Sequence, residues 1–137
     1  MLYDDQNIFA RIIRNELPAI KVYEDEQVLA FMDIMPQAEG HTLVIPKTPA
    51  ITLLDLPPDA AAYTIQIVQR IAQAMKIALD VQGIVLMQLS GASAGQTVPH
   101  VHFHLIPSSV HELGKHALHM GDQEKIKALA EKIKAEL

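Results

Sequence analysis

The chain has 137 residues, 50% of them hydrophobic, a formal net charge of −5, seven histidines and no cysteine. A chain of this length buries a core as one domain without staples, and the lack of cysteine excludes disulfides and thiolate-based zinc sites. The acidic balance argues against a broad nucleic-acid surface, and no apolar run approaches the ~18 residues that span a bilayer.

The opening Met1-Leu2-Tyr3-Asp4-Asp5 lacks the basic and apolar regions of a secretory leader, so the expected location is the cytoplasm. Asp4 or Asp5 is placed to cap a first helix that carries Ile8, Phe9, Ile12 and Ile13 on one face, and Pro18 stops it. Strands are expected at 20–24 and 27–33, separated by the Asp25-Glu26 turn. A loop through Met35-Pro36 and Glu39-Gly40 leads to a third strand at 41–45. The longest helix starts near Pro58 or Asp59, with Ile65, Val68, Ala72, Met75 and Leu79 at helical spacing and Ile67, Ile71, Ala74 and Ala78 widening the stripe. A stripe that wide fits either one broad core face or an additional contact with a partner subunit. A strand at 84–89, a small-residue loop at 90–96 and a strand near 98–106 follow. The tail predicts a polar helix over 122–136 with Ile126, Leu129, Ala130 and Ile133 inside. Successive strands joined by short turns read as an α+β fold with antiparallel pairing.

Within the last strand, His100, His102 and His104 alternate with Val101, Phe103 and Leu105. Period-two alternation places the apolar residues on one face and the histidines together on the other. Packing does not call for three histidines in register, so this face is the expected site of chemistry. A metal is one reading. However, His100 and His104 are about 13 Å apart along an extended strand, at ~3.3 Å per residue, so the three do not close readily on one zinc. His41 from another strand would complete a two-histidine pair, which leaves adventitious or structural zinc open, though none is required.

Nucleophilic catalysis is the other reading. Clustered imidazoles disfavour simultaneous protonation, so at least one ring stays neutral near pH 7 and is able to attack phosphorus. The preceding Gly91-Ala92-Ser93-Ala94-Gly95-Gln96-Thr97-Val98 offers small residues, backbone N–H groups and hydroxyls for phosphate oxygens.

His-Val-His-Phe-His-Leu-Ile at 100–106 matches the histidine triad pattern, and Ala94-Gly95-Gln96-Thr97-Val98 before it resembles the same family. So do Ile8-Phe9, Ile12-Ile13, Phe31-Met32-Asp33-Ile34, Pro36-Gln37-Ala38 and His41 through Lys47. The resemblance spans about residues 7–107 of a single domain over 1–137, with 108–137 as a variable tail. It is closest to the histidine triad nucleotide-binding proteins of the purine nucleoside phosphoramidase branch. It implies a five-stranded antiparallel sheet with two main helices and a C-terminal helix, joined in a homodimer as a ten-stranded sheet.

The resemblance also implies site roles. His102 would be the nucleophile that forms a nucleotidyl-histidine, His100 would orient its ring, His104 would hold the phosphate and His41 would support the site. Gly95, Gln96, Thr97 and Val98 would contact the phosphate through backbone N–H groups and the Thr97 hydroxyl. Asp33 would accept the ribose hydroxyls, and Ile8, Phe9, Ile12, Phe31 and Ile34 would form the base pocket. The partner would be a purine mononucleotide of AMP or GMP type, with neither nucleic acid nor membrane. The reaction would be hydrolysis of nucleoside 5′-phosphoramidates, with dinucleoside polyphosphate hydrolysis and a non-catalytic nucleotide-binding module as alternatives.

Three departures stand out. Leu89-Ser90 sits where many members carry asparagine near the phosphate, so that contact is either missing or made by Ser90. The chain has no tryptophan for the C-terminal aromatic contact. The stretch 108–121, with His111, His116 and His119, does not match the family tail and reads as surface loop.

Overall fold

The computed structural model describes residues 2–113 and 120–137. In chain order the elements are α1 (Ile8–Ile13), β1 (Lys21–Glu24), β2 (Val28–Met32), β3 (Thr42–Pro46), α2 (Pro58–Leu79), β4 (Val85–Met87), β5 (Phe103–Ile106) and α3 (Gln123–Ala135). A 3-10 turn at Ala92–Ala94 lies inside the loop before β5. The five strands form one antiparallel sheet, as expected, and their order in it is β1-β2-β3-β5-β4.

Pairing register explains the two faces. Phe31 lies opposite Leu43, and Leu43 opposite His104, so these residues share a face. Leu29, Phe31, Leu43 and Ile45 on that face pack with Phe9 and Ile12 of α1. Val28, Ala30, Val44, Phe103 and Leu105 point the other way and join Val68, Ile71 and Met75 of α2 and Ile126, Ala130 and Ile133 of α3 in the larger core. Both faces are covered, which is why β2 and β3 are buried at every position instead of alternating with polar residues.

Local chemistry corrects several boundaries. The cap of α1 is Asn7, not Asp4 or Asp5: its side chain accepts the Ala10 N–H at 2.9 Å. Asp4 is engaged in the preceding turn, where its carboxylate accepts the Gln6 N–H and its carbonyl accepts the Asn7 N–H. The helix ends at Ile13, well before Pro18, and Asn15 just beyond its C-cap Arg14 leaves the helical region with a φ of 62°. Along α2 the buried stripe runs through Thr64, Ile67, Val68, Ile71, Ala74 and Met75. Ile65, read as part of that stripe, is instead 43% exposed. Asp122 caps α3 by accepting N–H groups of Glu124 and Lys125, and Ile126, Ala130 and Ile133 form its inner face. His111 is exposed, and His116 and His119 lie outside the described residues. No helix among the described residues is long and apolar enough to cross a membrane.

Gly40 sets the turn into β3 and hence the position of His41. Its φ is +92°, and a Cβ there would overlap the Leu79 side chain and lie 3.1 Å from Pro107 Cγ. Gly40→Ala is expected to destabilise the fold by about 3 kcal/mol, combining left-handed strain with overpacking. A urea denaturation midpoint unchanged from the parent chain would contradict this account.

Candidate active site

A cleft of about 530 Å³ opens on the α1 side of the sheet. That volume falls in the range of roughly 300–1,000 Å³ usual for small-molecule sites. One end is apolar, lined by Ile8, Phe9, Ile12, Phe31 and Ile34, with Asp33 beside them. At the other end stand His102, His104, Gly95, Thr97 and Val98. Ile8 is 49% and Ile34 42% exposed, so apolar surface faces water at the mouth. The lining also includes Gln37 and Met87, which the sequence alone did not place in the site, and Leu89 of the Leu89-Ser90 pair. A register signal was there for Met87, which pairs directly with His104 across β4 and β5.

His41 and His100 are buried behind this surface, at 1% and 0% exposure. The triad is also less regular than one strand, because β5 begins only at Phe103 and His100 and His102 approach it as irregular chain. Alternation still holds: Val101, Phe103 and Leu105 enter the larger core, while His102 and His104 face the cleft.

The hydrogen-bond partners assign the ring protons. His102 Nδ1 lies 2.7 Å from the His100 carbonyl, which only accepts, so Nδ1 carries the proton and neutral His102 keeps its lone pair on Nε2. It is therefore the backbone of His100, not its imidazole, that orients the His102 ring. His100 donates from Nε2 to the Pro46 carbonyl at 2.8 Å, and its Nδ1 accepts from the Tyr3 hydroxyl at 2.6 Å. His41 Nδ1 accepts the Gln37 N–H at 3.0 Å, which places its proton on Nε2, 2.9 Å from His104 Nδ1. His104 thereby accepts on Nδ1 and, when neutral, carries its own proton on Nε2. Phe9 meets the His102 ring edge-on at 5.0 Å, and His104 meets it from another side at 4.9 Å.

Burial governs the charges. It lowers the pKa of His102, against the pull of the His100 carbonyl, and so favours the neutral ring. Burial, with the charge of His102 adding to it, lowers His41 to about 4. His100 is also lowered to about 4, chiefly by burial. Asp33 is pushed above the usual carboxylate value by burial, with the Met35 N–H pulling back.

The loop before β5 is partly engaged in its own structure. The N–H of Gly95 donates to Ala92 and that of Gln96 to Gly91, and the Gln96 side chain holds Gly91, Ile51 and Val98. Gln96 thus braces the loop and stands outside the cleft lining, and the Gly95 N–H faces its own turn. Gly95, at φ +108°, still brings its backbone to the cleft wall. Ser90 does not replace the missing asparagine: its hydroxyl donates to Gln88 Oε1 and it is not in the lining, while Leu89 is.

Comparison with known proteins places the chain in a family. The model for the HIT domain matches residues 14–111. Adenosine 5′-monophosphoramidase HNT1 of Saccharomyces cerevisiae is 45% identical over 100 residues, 73% of this chain and 61% of that protein. The Candida albicans protein of the same name is 35% identical over 140 residues, covering 95% of this chain and 90% of its own length. A crystal structure of a Hit-like protein from Bartonella henselae superposes with a TM-score of 0.92 at 47% identity, covering all of both chains. With the match spanning most of the chain and its triad, the protein belongs to the histidine triad (HIT) family.

Proposed function

We propose that the protein hydrolyses nucleoside 5′-phosphoramidates, or related mononucleotide conjugates, at the α-phosphate. The observation that carries this reading is the proton arrangement of His102. Its Nδ1–H is held by the His100 carbonyl, its pKa is lowered by burial, and the ring lines the cleft. That is a positioned, neutral nitrogen nucleophile. The apolar end of the cleft would take the purine, and Asp33 the ribose hydroxyls. Nε2 of His102 would attack phosphorus as the P–N bond to the leaving amine breaks, and the amine would depart with a proton taken from solvent, which the later hydrolysis step gives back. Water would then cleave the nucleotidyl-histidine, releasing the nucleoside monophosphate and restoring the ring. His104, carrying its proton on Nε2, and the Thr97 hydroxyl would donate to the phosphate oxygens as charge builds on them.

No metal enters this scheme. Asp33, His41 and His104 do offer ligand atoms within 4.8 Å of one another. For His41 to ligate through Nε2, however, its proton would have to move to Nδ1, where the Gln37 N–H already points. The set is better read as hydrogen-bonded than as ligating.

The lining also bears on the leaving group. Apart from the histidines, Asp33 is its one ionisable residue among the described residues, and no Lys or Arg is present. A dinucleoside polyphosphate must expel a polyanionic nucleotide and would find no fixed cation here, whereas an amine needs none. Adenosine phosphoramidate is therefore expected to turn over at least about tenfold faster than diadenosine triphosphate on one preparation, an energy difference of about 1.4 kcal/mol. The reverse order would favour polyphosphate hydrolysis. Tight AMP binding with neither substrate consumed would favour a non-catalytic module.

A further inference from the structure

We propose that Tyr3 is a positioning residue for the nucleophilic histidine, acting through His100. His100 is fully buried, and its ring is fixed at both nitrogens. The Pro46 carbonyl, 2.8 Å from Nε2, only accepts, so the proton of the neutral ring sits on Nε2. Nδ1 must then accept, and the Tyr3 hydroxyl at 2.6 Å is the donor that meets it. The Tyr3 ring also stands edge-on to the imidazole, with centroids 5.6 Å apart.

What makes this more than a buried contact is the third anchor on the same residue. The carbonyl of His100 accepts the His102 Nδ1–H at 2.7 Å. The ring of His100 is thus held at two points, and its peptide oxygen holds the ring that faces the cleft. Without the Tyr3 hydroxyl, Nδ1 of a ring sealed from water loses its donor. The imidazole then rotates, or takes a second proton, and either change is passed to the carbonyl that aims His102. Tyr3 is half-buried and outside the cleft lining, so it acts on the nucleophile without touching the nucleotide. Its segment is tied down independently, because the Asp4 carbonyl accepts both the backbone N–H and the side-chain amide of Asn7. The N-terminal segment therefore reaches the triad twice, through Tyr3 on His100 and through Phe9 on His102.

Tyr3→Phe removes one oxygen and keeps the ring, so it tests the hydroxyl alone. In nitrogen-15 spectra of ligand-free protein, His100 is expected to show a hydrogen-bonded, unprotonated Nδ1 that moves to its unbonded position in the variant, with His102 shifting alongside. The single-turnover rate of nucleotidyl transfer is expected to fall about tenfold while the AMP dissociation constant stays within about twofold, the pattern of a misaligned nucleophile. Unchanged histidine resonances, an unchanged rate, or a loss confined to AMP affinity would each overturn the proposal. The rate measurement rests on the hydrolase reading above, whereas the spectra do not. If the parent chain turns over no phosphoramidate, that reading fails and the resonances alone decide the role of Tyr3.

Discussion

Replacing His102 with asparagine is expected to abolish phosphoramidate turnover while leaving nucleotide binding in place. An asparagine amide N–H is able to donate to the His100 carbonyl as Nδ1 does now, so the local chain keeps its anchor. The variant lacks a second ring nitrogen with a lone pair directed at phosphorus. With His102 as the nucleophile proposed above, its loss would remove the two-step path altogether, and a fall in kcat on the order of 10³-fold or more is expected. By the same arithmetic that is about 4 kcal/mol of transition-state stabilisation. The apolar end of the cleft, proposed above to take the purine, is built from α1, β2 and the Ile34 turn and does not depend on this side chain. AMP affinity is therefore expected to stay within about threefold, since binding common to ground and transition states is untouched. His102→Ala is expected to lose turnover equally but to loosen the approach to β5, because nothing then holds the His100 carbonyl. Turnover near the parent rate in either variant would refute His102 as nucleophile. An acid-labile nucleotide adduct formed by the parent chain and absent from both variants would identify the attacking atom's residue directly.

Much of this arrangement was legible in the sequence because it depends on period and residue type. Alternation at 100–106 placed Val101, Phe103 and Leu105 in the core, and helical spacing located α2 and α3. Misreadings occur where a partner distant in sequence decides. Asp4 and Asn7 are equally good caps on paper, and only the turn that engages Asp4 gives the role to Asn7. Ile65 fits the stripe of α2 by spacing, but the helix turns its Thr64, Ile67 and Val68 edge to the sheet and α3. The histidine roles show the same limit. Spacing reveals three imidazoles and a loop of small residues. It does not reveal that the His100 carbonyl is the orienting group, that Gln96 braces the loop, or that Tyr3, 97 positions away, closes on His100.

The two histidines that never face the cleft carry the second large effect, a loss of stability in mild acid. His41 and His100 titrate near 4 in the folded chain against an ordinary value of 6.5, because burial disfavours their charged forms. Between those two pH values the unfolded chain has bound protons that the folded chain refuses. Unfolding is therefore favoured progressively as the pH falls through that window, and the contribution is constant above it. At pH 5 each ring is expected to have withdrawn about 2 kcal/mol relative to pH 7, or about 4 kcal/mol for the pair. Out of a total of roughly 5–15 kcal/mol for a domain, that is a large fraction. His102, shifted the same way, adds to the loss, while Asp33, shifted upward by burial, takes a proton earlier in the folded state and offsets part of it. Asp25 does not contribute in this range. Burial raises its pKa, but the hydroxyls of Tyr63 and Tyr23 and two backbone N–H groups outweigh that and hold it at about 2, so its support is lost only below the usual carboxylate value of 3.8. Urea denaturation at pH 7, 6 and 5 is the measurement. The unfolding free energy should decline continuously with falling pH, with most of the change below pH 6.5. Equal stability at pH 7 and pH 5 would mean that both rings accept protons in place, and the neutral hydrogen-bond pattern that aims His102 and His104 would then be wrong.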